Sequence, residues 1–309
     1  ISLPFPKGLY RLIKSVKADI VIAEGFFQFT PWALAYAIFN RKPILIAYER
    51  TAHTERNCPA WRRMYRKFVN LFVDGYVVNG ILTKQYLVSQ GVSENVIFTG
   101  AMCADSLHLA EKVKMIKPEE RLFFKRELHI EKKEIIYLYV GRLITLKGVA
   151  YLLDAWKEHI LSHPNDHLLI VGEGPLFDDF VQGYGFMNSI SFVGNIDYSR
   201  ISEYYAVADV FVIPTLEDNW SLVVPEAMAC GLPIACSVYN GCHPELVHEG
   251  KNGVLFDTLN KVSLLYALSY FHSVDLELFG KESMKIEQKY NPQNTARNIF
   301  KAIETVAEK

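Results

Sequence analysis

Short β-rich runs alternate with helix-patterned segments along all 309 residues, and that alternation calls for parallel sheets covered by helices on both faces. The first series of strands is expected at 19–23, 43–48, 75–79 and 95–99. A second series is expected at 134–140, 167–171, 189–193, 209–213, 233–236 and 254–256. Between the two, segment 100–118 has no strand pattern and carries Lys112, Lys114 and Lys117, so the domain link is placed there. The chain is too long for one ordinary core and long enough for two α/β units of about 100–200 residues each. The expected division is a first domain over 1–115 and a second over 116–290. A final helix over 291–309 has an apolar side that suits either domain, with a return to the first expected. The most regular helix starts at Val149 and presents Val149, Leu152, Leu153, Trp156 and Ile160 on one face, which reads as core.

Composition excludes several classes. Half the residues are apolar, 22% are charged and the net charge is −1, which suits neither a disordered chain nor a nucleic-acid binder. Cys58, Cys103, Cys230, Cys236 and Cys242 are odd in number and form no CxxC pair, so a reducing, cytoplasmic setting is expected. The apolar stretch 20–39 is broken by Glu24, Gln28 and Pro31, as a strand followed by a helix would be and a membrane span would not. No signal peptide is evident. The chain opens at Ile1 into a loop-like LPFPKG segment, as a processed product or a fragment would.

In doubly wound sheets, ligands bind at the carboxyl ends of the strands. Two loops there carry chemistry. In PTLEDNWSLVVPEAMACGLPI (214–234), Pro225 must lie in the first turn of a helix, which then starts near Ser221 or Leu222. The N–H groups of Leu222, Val223 and Val224 are then expected to be unpaired and to form an anion site suited to a pyrophosphate. Asp218 and Glu226 offer carboxylates to vicinal hydroxyls of a ribose or hexose. A structural alternative makes Ser221 an N-cap, with the carboxylates favouring the helix dipole. In VGRLITLKG (140–148), Gly141 permits a sharp exit from the strand, and Arg142 and Lys147 form a candidate diphosphate clamp. A solvated surface pair is the alternative. Gly172 and Gly174 do not complete a dinucleotide fingerprint, because Phe177 occupies the third glycine position.

With these loops in hand, the second half resembles the donor domain of glycosyltransferase family 4, a retaining family of GT-B fold built from two Rossmann-like domains. The family's GR…KG element corresponds to Arg142 and Lys147. Its Glu-x7-Glu motif corresponds to DNWSLVVPE, with Asp218 in place of the first glutamate and Ser221 in place of the usual glycine. The likeness continues through GEGP (172–175), FVGNI (192–196), GCHPELV (241–247) and NGVLF (252–256), and covers about residues 134–257. It implies that Glu226 binds the donor's ribose hydroxyls and that the region of Asn195 and Ile196 borders the base. Gly141, Gly172, Ser221, Leu222 and Val223 complete the implied donor set, with Arg142, Lys147, Asp218 and His53 as the catalytic set. His53, in the loop after strand 43–48, is implied to approach the donor sugar; Glu49 and Arg50 are weaker candidates for acceptor contacts. One departure is that nothing before Asp19 supplies the family's opening βαβ unit and Gly-rich loop.

The expectation is therefore a retaining transfer from a nucleotide-diphosphate sugar to a glycan or lipid-linked acceptor, with no covalent protein nucleophile. No DxD sequence occurs, so neither a metal nor another cofactor is expected. Two rivals are a GT-B nucleotide-sugar epimerase and a non-catalytic donor-binding subunit. Over 59–72, Arg62, Arg63, Arg66 and Lys67 alternate with Trp61, Met64, Tyr65, Phe68 and Leu71. Such a helix suits anionic lipid, and so a peripheral membrane contact. A helix with an apolar core face and a solvated basic face accounts for the same pattern.

Overall fold

The computed structural model describes residues 8–308; apart from Gly8, the LPFPKG segment lies outside them. The chain divides into two compact units, one of residues 1–102 with 292–309 and one of residues 103–291. The division falls inside the 100–118 segment. Helix Ser106–Met115 belongs to the second unit, because the buried Ser106 hydroxyl donates to the Glu287 carboxylate.

In the first unit, β1 (Val21–Glu24), β2 (Ile44–Tyr48), β3 (Gly75–Val78) and β4 (Ile97–Thr99) form a parallel sheet in sequential order. Every residue of β3 is buried, as expected for a strand covered on both faces. One covering layer is the last helix, Pro292–Ala307, which packs Ala302 and Val306 against Leu45 and Val77. Its Asn298 also donates to the Gly100 carbonyl.

The helix Ala60–Asn70 packs Val69 and Tyr65 against the core of the first unit, but most of the apolar face expected to be covered there is not. Its apolar stripe faces outward, with Trp61 59%, Met64 72%, Phe68 57% and Leu71 77% exposed, whereas Arg66 is 4% exposed. Arg66 is held in a two-pronged pair with Glu55, at 2.7 and 2.9 Å, and also donates to the Tyr86 hydroxyl. A buried guanidinium is tolerated because this carboxylate sits in place to receive it.

In the second unit, β5 (Ile136–Val140), β6 (His167–Val171), β7 (Ile190–Gly194), β8 (Val210–Ile213), β9 (Ile234–Ser237) and β10 (Gly253–Phe256) make a six-stranded parallel sheet. Its order is β10-β9-β8-β5-β6-β7. From β5 the chain winds one way to β7, returns to the other side of β5 as β8, and continues to β10. The reversal lies between β5 and β8, so a crevice is expected beyond their carboxyl ends. Helix Val149–Ser162 covers one face with Val149, Leu152, Leu153 and Trp156 fully buried. The Trp156 indole finds an acceptor in the Ser189 hydroxyl, 3.2 Å away.

Candidate functional site

At that reversal lies a cavity of 620 Å³, of the size that holds a small-molecule ligand. Its walls come from the loops after β5, β6 and β7 and from helix Val223–Ala229. Gly141, Arg142, Gly172, Asn195, Ile196, Val223 and Glu226, seven of the residues singled out above, line it together. Glycine is required where the loops meet. A Cβ on Gly172 would lie 2.0 Å from the Gly141 carbonyl oxygen, and the φ of +130° disfavours any other residue.

Arg142 is exposed and has no carboxylate partner among the described residues. Glu226 stands at the other wall. The Tyr198 hydroxyl donates to its Oε1 at 3.3 Å and the Tyr205 hydroxyl to its Oε2 at 3.2 Å. Burial pushes the Glu226 carboxyl above its usual range, and the two phenolic hydrogen bonds offset part of that rise. Each oxygen keeps a further lone pair for a ligand hydroxyl.

Lys147 and Asp218 stand differently from Arg142. The Lys147 ammonium pairs with Asp218 Oδ2, and the same oxygen accepts from the Ser221 hydroxyl at 2.6 Å. Asp218 Oδ1 accepts from the backbone N–H of Trp220 at 3.1 Å. Neither Lys147, Asp218 nor Ser221 lines the cavity. Ser221 is not the N-cap, a position taken by Leu222, which makes no side-chain cap. The expectation of three unpaired N–H groups is corrected at Val224, which donates to the Ser221 carbonyl at 3.1 Å as the entering chain tightens into a turn. His53 belongs to the first unit, in the turns that follow β2.

Tyr198 and Tyr205 are absent from the site residues that the sequence points to. Tyr198 follows FVGNI by two positions, and that proximity is the signal available; Tyr205 sits in a helix, where an aromatic reads as core. All five cysteines are free. No helix among the described residues is long and apolar enough to cross a membrane.

Residues 120–273 match the family described as "Glycosyl transferases group 1". Over 308 residues the chain is 28% identical to the sulfoquinovosyl transferase SQD2 of Arabidopsis thaliana, covering 94% of this chain and 57% of that protein. Over 136 residues it is 29% identical to the alpha-monoglucosyldiacylglycerol synthase of Acholeplasma laidlawii, covering 43% of this chain and 34% of that one. The chain thus spans about a third to just over half the length of these relatives. The crystal structure of Anabaena Alr3699/HepE in complex with UDP superposes with a TM-score of 0.81 at 15% identity, covering 96% of this chain and 82% of the other. At that identity the likeness speaks for the fold alone.

Proposed function

We propose, for a chain whose residues 120–273 belong to the group 1 glycosyl transferases, that it moves a sugar from a nucleotide-diphosphate donor to a hydroxyl of a glycan or lipid-linked acceptor, with retention and without a metal. The observation that carries this reading is the cavity at the strand reversal, which has an unpaired guanidinium on one wall and a carboxylate with open lone pairs on another. A nucleoside diphosphate has complementary groups, anionic oxygens for Arg142 and vicinal ribose hydroxyls for Glu226. In the proposed step the bond from the anomeric carbon to the diphosphate oxygen breaks and a bond to the acceptor oxygen forms. The acceptor proton passes to the departing phosphate oxygen. Arg142 offsets the charge that develops there, while Lys147 and Asp218 act as a coupled pair beside it.

Sugar release from a panel of donors, measured with and without acceptor extract, tests the reading. Acceptor-dependent release with retained anomeric configuration supports it. An inverted product removes the proposed route, isomerisation of the donor sugar without release favours an epimerase, and binding without turnover favours a non-catalytic subunit.

Metal independence has its own check. Transfer is expected to be unchanged in excess EDTA, because the Arg142 guanidinium takes the place of a donor-bound cation. Activity lost on chelation and restored by magnesium or manganese would refute it.

Contact with anionic lipid through helix Ala60–Asn70 forms part of the same proposal. Trp61, Met64, Phe68 and Leu71 are exposed along one stripe beside Arg63 and Lys67, the pattern of a helix lying in a membrane interface. Sedimentation with vesicles containing anionic phospholipid should retain the protein, and neutral phosphatidylcholine vesicles should not. Replacing both Arg63 and Lys67 with alanine should weaken binding roughly thirtyfold, at about 1 kcal/mol per basic residue. Equal binding to neutral vesicles, or none to either, would dismiss the contact.

A further inference from the structure

The second sheet carries another cluster at its opposite edge, at the amino ends of β5 and β6. His159 lies near the end of helix Val149–Ser162, Asp166 in the turn before β6, and His272 in the short 3-10 turn Phe271–Ser273. His159 Nε2 and His272 Nε2 each stand 2.8 Å from one carboxylate oxygen, Asp166 Oδ2. Among the described residues this is the one group of three or more His, Cys, Asp or Glu side chains whose ligating atoms converge in this way.

His272 lies between two carboxylates, with Asp166 Oδ2 2.8 Å from its Nε2 and Glu134 Oε1 3.5 Å from its Nδ1, so Nδ1 needs a proton there, which either an imidazolium or a ring that binds a cation at Nε2 supplies. A cation bound at Nε2 moves the imidazole proton to Nδ1, where it points at that carboxylate. This is the carboxylate–histidine–metal arrangement that orients a ligating imidazole. Asp166 is oriented too, since its Oδ1 accepts the Ile135 N–H at 3.2 Å and leaves Oδ2 for a ligand. The His163 ring stacks on His272 with centroids 3.9 Å apart and on His159 at 4.7 Å, which fixes the planes of both. His159 Nδ1 is buried without a partner, so His272 is the ligand whose outer carboxylate is in place.

We propose that His159, Asp166 and His272 form a zinc-binding site. Two imidazoles and a carboxylate suit a borderline divalent ion, with water at a fourth position on the partly exposed His272 side. Bonds of about 2.0–2.1 Å in a tetrahedron set the ligand atoms roughly 3.3 Å apart. The present 2.8 Å spacings must open by about half an ångström to reach that separation, a shift within reach of a surface 3-10 turn. Bound zinc would tie helix Val149–Ser162, the start of β6 and the turn after helix Lys261–Tyr270 to one point. The five residues of β6 separate it from the donor cavity by about 17 Å, so it acts on stability and not on transfer.

The test uses the whole protein, stripped with EDTA and desalted, with zinc chloride as the titrant in calorimetry. One equivalent is expected to bind saturably and to raise the melting temperature, and cobalt(II) in its place should give the visible bands of a tetrahedral ion. Glu134→Gln, which changes no ligand, should lower zinc affinity about 10–100-fold, and His272→Ala by at least as much. Far-UV circular dichroism establishes that both variants are folded. Absence of stoichiometric binding to the parent protein, or parent-like affinity in both variants, would overturn the site.

Discussion

Replacing Glu226 with alanine is expected to weaken donor binding ten- to hundred-fold, as read by calorimetry with a panel of nucleoside diphosphates and their sugars. Hydrogen bonds to a charged group contribute about 1.5–3 kcal/mol, which converts to that range of dissociation constants. The geometry adds a complication that a surface carboxylate would lack. Tyr205 is buried and donates to Glu226 Oε2, so the alanine variant leaves its hydroxyl without that acceptor and loses some stability as well. Glu226→Gln separates the two effects. An amide keeps one acceptor oxygen for a tyrosine but replaces the other with a donor, which is mismatched to a ribose hydroxyl pair held by two acceptors. The glutamine variant should therefore keep its melting temperature more nearly than alanine does, while still losing donor affinity. Affinity should also fall with decreasing pH. Burial raises the Glu226 carboxyl, and protonation removes an acceptor, so the loss should begin above the pH at which an ordinary glutamate titrates. Unchanged affinity in a folded Glu226→Ala variant would contradict the assignment.

Much of this site is legible in the amino-acid sequence, because it depends on local signals. Strand ends, glycines and a proline fix where Gly141, Gly172 and Val223 fall, and Arg142 and Glu226 come with them. Pairings between distant segments are not legible. Lys147 and Asp218 are 71 positions apart, and only the return of β8 beside β5 brings their side chains together. The helix Ala60–Asn70 departs from its sequence pattern for a related reason. Its hydrophobic period is real, but periodicity does not say which face is covered, and the buried partner that turns Arg66 inward, Glu55, comes from the preceding loop. Tyr198 and Tyr205 escape notice because a phenol that orients a carboxylate looks, in sequence, like any aromatic of a helix or turn.

The largest kinetic effect is expected at Arg142. On the proposed route, negative charge grows on the diphosphate as its bond to the sugar breaks, so a group that offsets it binds the transition state more tightly than the ground state. Arg142→Ala should thus lower kcat by more than it raises KM for the donor, with a loss on the order of 10²–10³ if it resembles removal of one oxyanion-hole donor. The structure separates Arg142 from its companion. Arg142 reaches the cavity without a carboxylate partner among the described residues, so its charge is available to a ligand. Lys147 is already paired with Asp218, and its removal leaves that carboxylate uncompensated. Lys147→Ala should accordingly impair catalysis through both partners, and adding Asp218→Ala should cost less than the sum of the single losses, as expected for groups that act as a unit. Arg142→Lys should rescue poorly, because a compact ammonium cannot reproduce the planar fork that grips two phosphate oxygens. If Arg142 were instead a solvated surface charge, worth about 0–1 kcal/mol in any pairing, its alanine variant would turn over almost normally. Steady-state kinetics on folded variants decides the matter: near-parental kcat in both Arg142→Ala and Lys147→Ala would remove the clamp from the mechanism.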